Sequence, residues 1–321
     1  MSDRDTVDFL ATVPLLEGAD LVELARVTRR RTVREGEILW RQGEGAREVL
    51  FVVDGSVSTS LQLPGDREVE IARAGPGQIL GEIALLDGQG HTMSARVIET
   101  ATLLAVSRMD FTALLVGQRP AAFRLKRRLA SLFTARLRDQ LRYLAASLNG
   151  GSAGPPAEDA VPALADLEQC RPPDSKYVRR MAIFHDYDPL ALWGFLTSGK
   201  FVLCPAGLTL VVEGKPSTAY YLTISGAVEK VLVRGDRRIR VGLAGPGMAF
   251  GYESLIDSRA SPVTAITRER ALLLALTRDV FDQLFYKEDA VSRVFIEAIQ
   301  RDLLATLRQT LRPCARLAAS V

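Results

Sequence analysis

The chain repeats itself. The segment GPGQILGEIALLDGQGHTMSARVIETATLLAVSRMDF begins at Gly75, and GPGMAFGYESLIDSRASPVTAITRERALLLALTRDVF begins at Gly245, so the two align without a gap at an offset of 170 residues. Upstream, LPGDREVEIA and VRGDRRIRVG keep that offset, and one further residue brings Gly36, Gly43 and Gly55 onto Gly207, Gly214 and Gly226. A repeat of this length means one folding unit built twice, each copy with its own core. The 321 residues then divide into domains at 1–149 and 176–321, joined by a Gly/Pro-rich linker at 150–175.

Within each copy, short alternating or apolar runs are punctuated by glycine. Residues 48–53, 56–63, 68–72 and 102–106 read as strands, as do 219–224, 227–233 and 239–243 in the second copy. Gly55, Gly65, Gly226 and Gly235 stand where tight turns between antiparallel strands call for positive φ. Short strands at even spacing predict a jelly roll or barrel, not a parallel sheet. Helix flanks each copy. Phe9, Leu10, Leu15, Leu16, Leu21 and Leu24 fit a short N-terminal helical stretch. Leu125, Leu129, Phe133, Leu137, Leu141 and Leu144 form one apolar stripe on a long helix, and Phe295, Ile299, Leu303, Leu307 and Leu311 repeat it. The fold class is α+β, mainly β: two tandem jelly-roll barrels, each followed by a long C-terminal helix.

Composition narrows function. At 47% hydrophobic and 25% charged residues the chain builds real cores. No apolar run approaches a membrane span, and the start MSDRDTVDF is not a secretory signal, so the expected compartment is the cytoplasm. Three scattered cysteines and two histidines supply neither a disulfide framework nor a metal site, and little for a nucleophile relay. The expectation is a protein without catalytic activity and without a metal.

Against this background, REGEIL (34–39), QGEGAREVLFVVDGSV (42–57) and LGEIALLDGQGHTMSARV (80–97) resemble the cyclic-nucleotide-binding domain. The second copy resembles it through PAGLTL (205–210), EGKPSTAYYLTISGAV (213–228) and FGYESLIDSRASPVTAI (250–266). The resemblance covers nearly everything outside the linker. It implies a phosphate-binding cassette, in which a glycine turn presents backbone N–H groups to the phosphate, a glutamate accepts from the ribose hydroxyl, and an arginine pairs with the phosphate.

Carried onto this sequence, Gly81, Glu82, Ile83 and Ala84 match the family, but nine residues beyond Glu82 stands His91 in place of arginine, followed by Thr92 and Ser94. Arg96 occupies a commonly basic position beyond them. A charge-assisted hydrogen bond contributes about 1.5–3 kcal/mol, so losing it weakens binding roughly tenfold to a hundredfold. An ordinary imidazole has a pKa of about 6.5, and a bound phosphate favours its charged form, so binding through His91 is expected to strengthen as pH falls. The bland alternative makes His91 an exposed turn residue. In the second copy, Gly251 is followed by Tyr252 at the glutamate position, or by Glu253 if the chain slips one residue. Ser261 stands at the arginine position and Thr264 follows, which reads as a degenerate pocket.

Other signals have plainer readings. RRRTV (29–33) matches a basophilic kinase site but reads better as entry to the first strand. Trp40 and Trp193 read as core. Arg119, Arg124, Lys126, Arg127, Arg128, Arg136, Arg138 and Arg142, against Asp139, make the first long helix basic: a solvated face, or one that meets nucleic acid, anionic lipid or an acidic partner. A second barrel follows that helix where related DNA-binding proteins carry a helix-turn-helix, so sequence-specific DNA reading is not expected. The resemblance implies a regulatory protein that senses cAMP, cGMP or a related nucleotide, mainly through the first domain, and signals to an unidentified protein partner through its long helices. Those helices could pair within the chain as a pseudo-dimer or between chains as a homodimer. The rival readings are a ligand-independent scaffold with degenerate pockets, and a polyanion binder acting through the basic helix.

Overall fold

The computed structural model describes residues 3–16, 21–63, 65, 67–116, 119–146, 161–181, 184, 185, 187–234 and 237–320. They form two compact units, one comprising 1–129 with 311–321 and the other 130–310.

The first unit opens with helices α1 (Asp3–Thr12) and α2 (Leu21–Val27), then strands β1 (Arg29–Val33), β2 (Ile38–Trp40), β3 (Glu48–Gln62), β4 (Glu68–Ala74) and β5 (Ile79–Leu80). Helix α3 (Glu82–Asp87), strand β6 (Ser94–Ser107), helix α4 (Arg108–Leu115) and the start of α5 (Pro120–Ala146) follow. The antiparallel sheet runs β1-β6-β3-β4, with β2 on β6 and β5 on β3. RRRTV is strand β1, in register with β6 from Arg29↔Ala105 to Val33↔Ala101. Leu50, Val52, Val57, Val97 and Leu103 are fully buried and form the centre of the barrel; burial of each such side chain contributes about 1.5–3 kcal/mol.

Gly55 differs from expectation. It adopts φ 83°, but β3 continues through it, and both halves pair with β6 (Leu50↔Ala105, Val57↔Val97) with shifts of register between. A glycine with positive φ inside a strand makes a corner, letting one strand serve both faces of the sandwich. A Cβ there would lie 2.4 Å from the Thr100 carbonyl oxygen, so no other residue fits that corner. Gly65 (φ 77°) does lie at the β3–β4 turn, while Gly235 lies outside the described residues.

The second unit contains β7 (Glu168–Cys170), α6 (Ser175–Arg179), α7 (Pro189–Thr197), β8 (Lys200–Cys204), β9 (Thr209–Val211), β10 (Ala219–Ser225), β11 (Val228–Arg234), β12 (Arg237–Ala244) and β13 (Ala249–Phe250). Helix α8 (Glu253–Asp257), strands β14 (Thr264–Thr267) and β15 (Ala271–Thr277), α9 (Arg278–Tyr286) and α10 (Ala290–Ser320) complete the chain. One sheet is ordered β13-β10-β15-β8-β7 and the other β12-β11-β14-β9. Gly226 (φ 83°) marks the passage from one to the other. Strand β7 falls inside the stretch read as linker, where it pairs with β8 through Gln169↔Val202; residues 147–160 lie outside the described residues.

The helix stripes are buried at every expected leucine, phenylalanine and isoleucine. Helices α4 and α9 start alike: Ser107 accepts from Asp110 N, and Thr277 accepts from Val280 N. The division between the units falls inside α5 and again inside α10, so packing groups the chain differently from the repeat. Trp193, read as core, is 44% exposed.

Candidate functional site

In the first unit the cassette is a turn between β5 and α3. Strand β5 is anchored to β3 through Leu50↔Leu80. Gly81 then adopts φ 86°, a left-handed conformation that aims the chain into a helix of six residues closed by Gly88 at φ 69°. Ile83 and Ala84, in the first turn of α3, have no carbonyl of their own helix for their N–H groups to reach. Glu82 is fully buried and Ile83 and Ala84 nearly so.

The loop after α3 returns His91 to this turn. His91 is 7% exposed, which excludes the exposed-turn reading. Its backbone N–H donates to the Glu44 carbonyl at 2.7 Å, and its carbonyl accepts from Gly43 N at 2.8 Å. Its ring lies on the Trp40 indole, with centroids 4.2 Å apart and planes 12° apart. The indole N–H is fixed to the Met93 carbonyl at 3.0 Å. Both rings border the turn: a Cβ on Gly81 would be 3.6 Å from each. Thr92 is half-buried beside them. Ser94 is buried, and its hydroxyl accepts from Gln42 N at 3.0 Å. Arg96 is exposed and directed to the Gly36 carbonyl and Glu68, away from this group.

Gly81, Glu82, Ile83, Ala84 and His91 are thus gathered as the sequence implied, and Trp40 joins them although it was read as core. The signal for Trp40 was a paired replacement between copies: Trp40 and His91 give way to Val211 and Ser261 at the corresponding positions.

The second cassette keeps the backbone and changes the side chains. Gly251 has φ 81°, and a Cβ there would meet the Ala219 carbonyl oxygen at 2.7 Å and Val211 Cγ2 at 3.4 Å. The loop bonds recur one for one: Gly214 N to the Ser261 carbonyl at 2.9 Å, Ser261 N to the Lys215 carbonyl at 2.8 Å, and Glu213 N to Thr264 Oγ1 at 3.0 Å. The Ser261 hydroxyl donates to the Val263 carbonyl at 2.8 Å. Tyr252 follows the left-handed glycine as Glu82 does, but it caps the helix, and Glu253 is the first residue of α8 as Glu82 is of α3. The Tyr252 hydroxyl donates to Asp302 of α10, and burial pushes its pKa well above the ordinary phenol value. Glu253 is 1% exposed, and burial holds its carboxyl above the usual carboxylate range against the pull of Lys230.

Two members of the basic helix are not solvated. Lys126 and Arg138 are buried. Among the described residues, no helix is long and apolar enough to cross a membrane.

Comparison with known proteins agrees with this geometry. The family model described as cyclic nucleotide-binding domain matches residues 30–117 and again 201–288, together more than half of the chain. The protein belongs to the cyclic nucleotide-binding domain family, with two such domains in tandem. It is 38% identical over 108 residues to a cyclic nucleotide-gated potassium channel of Mesorhizobium japonicum, covering 33% of this chain and 28% of the channel. It is 32% identical over 111 residues to the cyclic AMP receptor protein of Thermus thermophilus, covering 35% and 50%. A cAMP-dependent protein kinase type II regulatory subunit of Drosophila melanogaster is 30% identical over 109 residues, covering 33% and 28%. The chain thus matches between about a quarter and a half of the length of these relatives. Among solved structures, the regulatory domain of Toxoplasma gondii PKA with cAMP aligns over 88% of this chain and 91% of its own, at 17% identity and a TM-score of 0.34.

Proposed function

We propose that the first cassette binds a cyclic nucleotide, cAMP or cGMP, and that the protein is a non-enzymatic cytoplasmic regulator. Gly81, Ile83 and Ala84 offer backbone N–H groups to the phosphate, and Glu82 accepts from the ribose hydroxyl. His91 takes the arginine's place as phosphate cation, its ring set by Trp40, while Thr92 and Ser94 complete the loop. The observation that carries this reading is the buried Glu82 directly after a left-handed Gly81, with the His91 ring beside the same turn. The two domains are taken as 1–149 and 176–321, with the linker at 150–175 between them. Ligand binding shifts α5, which leads out of the first unit, and so changes contact with a protein partner; this requires affinity that differs between two states.

Thermal unfolding of the full chain with cAMP or cGMP tests it. Ligand at a hundred times its dissociation constant stabilises by about 2.7 kcal/mol, and Glu82→Ala should abolish the shift. No shift with either nucleotide would sink the reading. The polyanion reading loses two of its cations, since Lys126 and Arg138 are buried.

A further inference from the structure

The second unit holds a group of buried charged side chains for which nucleotide binding provides no task. Lys230 of β11 is 1% exposed, and its ammonium donates to Thr306 Oγ1 of α10 at 3.0 Å. It pairs with Ala265 of β14 as Thr59 pairs with Ala95 of β6 in the first unit. Thr59 ends at its own sheet, donating to the Ala72 carbonyl at 3.1 Å. Lys230 instead crosses from strand to helix, its stem passing so close to Gly242 that a Cβ there would lie 3.2 Å from Cε.

Three further groups meet in the same interior. Asp302 of α10 accepts from Ala249 N at 3.0 Å and from the Tyr252 hydroxyl, tying α10 to the first residue of β13 and to the cassette turn. Glu253 of α8 has one carboxylate oxygen buried without a hydrogen-bond partner among the described residues, and two cations act on it, Lys230 more strongly than Arg138. An isolated buried ion is costly, so such charges persist where fixed partners surround them.

A second cation grips the cassette from α5. The Arg138 guanidinium, 9% exposed, pairs with both oxygens of Asp257, the last residue of α8, at 2.6 and 2.8 Å, and donates to the Ala260 carbonyl at 2.8 Å. Ala260 directly precedes Ser261, at the place where the family's phosphate arginine would stand. Within this unit α5 and α10 also touch, Thr310 donating to Gln140.

We propose that the second cassette is clamped by the chain's own cations, Arg138 and Lys230, in place of a nucleotide, and serves as a ligand-independent anchor for α5 and α10. The degenerate motif is then a working joint: Tyr252 faces the helix where a glutamate would face a ribose, and the phosphate cation is unnecessary because no phosphate enters. This stands whether or not the first cassette is occupied.

Hydrogen–deuterium exchange of the full chain, followed peptide by peptide, tests it. Without nucleotide, residues 130–146, 249–262 and 290–310 should exchange slowly. Arg138→Gln should speed exchange at 130–146 and 249–262 about tenfold, and Lys230→Met at 249–262 and 290–310 by at least as much. Thr306→Val, which removes the acceptor of Lys230 together with the hydroxyl's own weak bond to Asp302, gives the same direction should Lys230→Met fail to fold. Millimolar cAMP or cGMP should leave 249–264 unchanged. Unaltered exchange in the variants, or nucleotide-dependent protection of 249–264, would overturn the proposal. Protection at 79–97 reports the first cassette alone, so failure of that reading is seen separately.

Discussion

In the first unit the turn at Gly81 is bordered by the Trp40–His91 stack, with Glu82 buried behind it; in the second, the turn at Gly251 is bordered by Val211 and Ser217, with Tyr252 bonded to Asp302. The loop hydrogen bonds are the same in both. Two glycines with φ near 80° and three loop bonds hold the barrel closed, so they recur wherever the barrel does. The side chains that would meet a ligand carry no such duty and have diverged. Backbone in this protein records the fold, and the residues at two or three positions record the use.

The widest test of the shared backbone is a matched pair of glycine replacements. Gly251→Ala should destabilise its unit by about 3–4 kcal/mol, since the left-handed conformation and a clash at 2.7 Å with the Ala219 carbonyl oxygen add. Gly81→Ala, facing the Glu48 carbonyl oxygen at 3.0 Å, should cost about 2 kcal/mol. Denaturant melts of each variant would show the order; equal costs would mean that the closer approach of the Ala219 carbonyl at Gly251 adds nothing.

The residue after each glycine separates use from fold. Glu82→Ala should weaken nucleotide binding roughly tenfold to a hundredfold. Tyr252→Phe should leave binding unchanged but destabilise by about 1–3 kcal/mol, because Asp302 loses a buried donor. A reversed outcome, with binding lost in Tyr252→Phe, would place the ligand in the second unit.

His91 gives a subtler contrast. His91→Arg should tighten binding about tenfold at pH 8 and less at pH 6, where imidazole already carries charge. The wild-type protein should bind more tightly at pH 6 than at pH 8, because phosphate favours the imidazolium. Removing the stack with Trp40→Leu should weaken binding by a factor of a few, as an aromatic pair contributes about 0.5–1.5 kcal/mol. Affinity flat with pH would remove His91 from the phosphate.

The smallest effect belongs to Glu253. Burial raises its pKa in the folded state above that of the unfolded chain, so its favourable contribution is present at low pH and is lost as pH rises through the folded value. Glu253→Gln should flatten this part of the stability profile and leave the first unit untouched. Urea melts at pH 5 and pH 8 would show the slope vanish, or show that Lys230 already cancels it.

Much of this was legible beforehand because it is local. Period-two runs and glycines announced the strands, and leucine spacing announced α5 and α10. The family resemblance, by the count from Glu82 to its arginine position, grouped His91 with Gly81. Gly55 misled because positive φ serves a corner as well as a turn, and only the pairing of both halves with β6 tells them apart. Strand β7 was hidden in a Pro-rich stretch, being three residues long and stabilised by β8. Arg138 read as one of eight cations on a helix; its partner Asp257 lies 119 residues away, beyond any sequence period. Lys230 lay unremarked within the strand read at 227–233 for the same reason, its acceptor being 76 residues further on.

The central claim is that one cassette of the two takes a cyclic nucleotide. Isothermal titration of the full chain with cAMP and with cGMP tests it most directly. The account predicts a single site per chain, lost in Glu82→Ala and retained in Tyr252→Phe. Two sites per chain, or a site that survives Glu82→Ala, would contradict it.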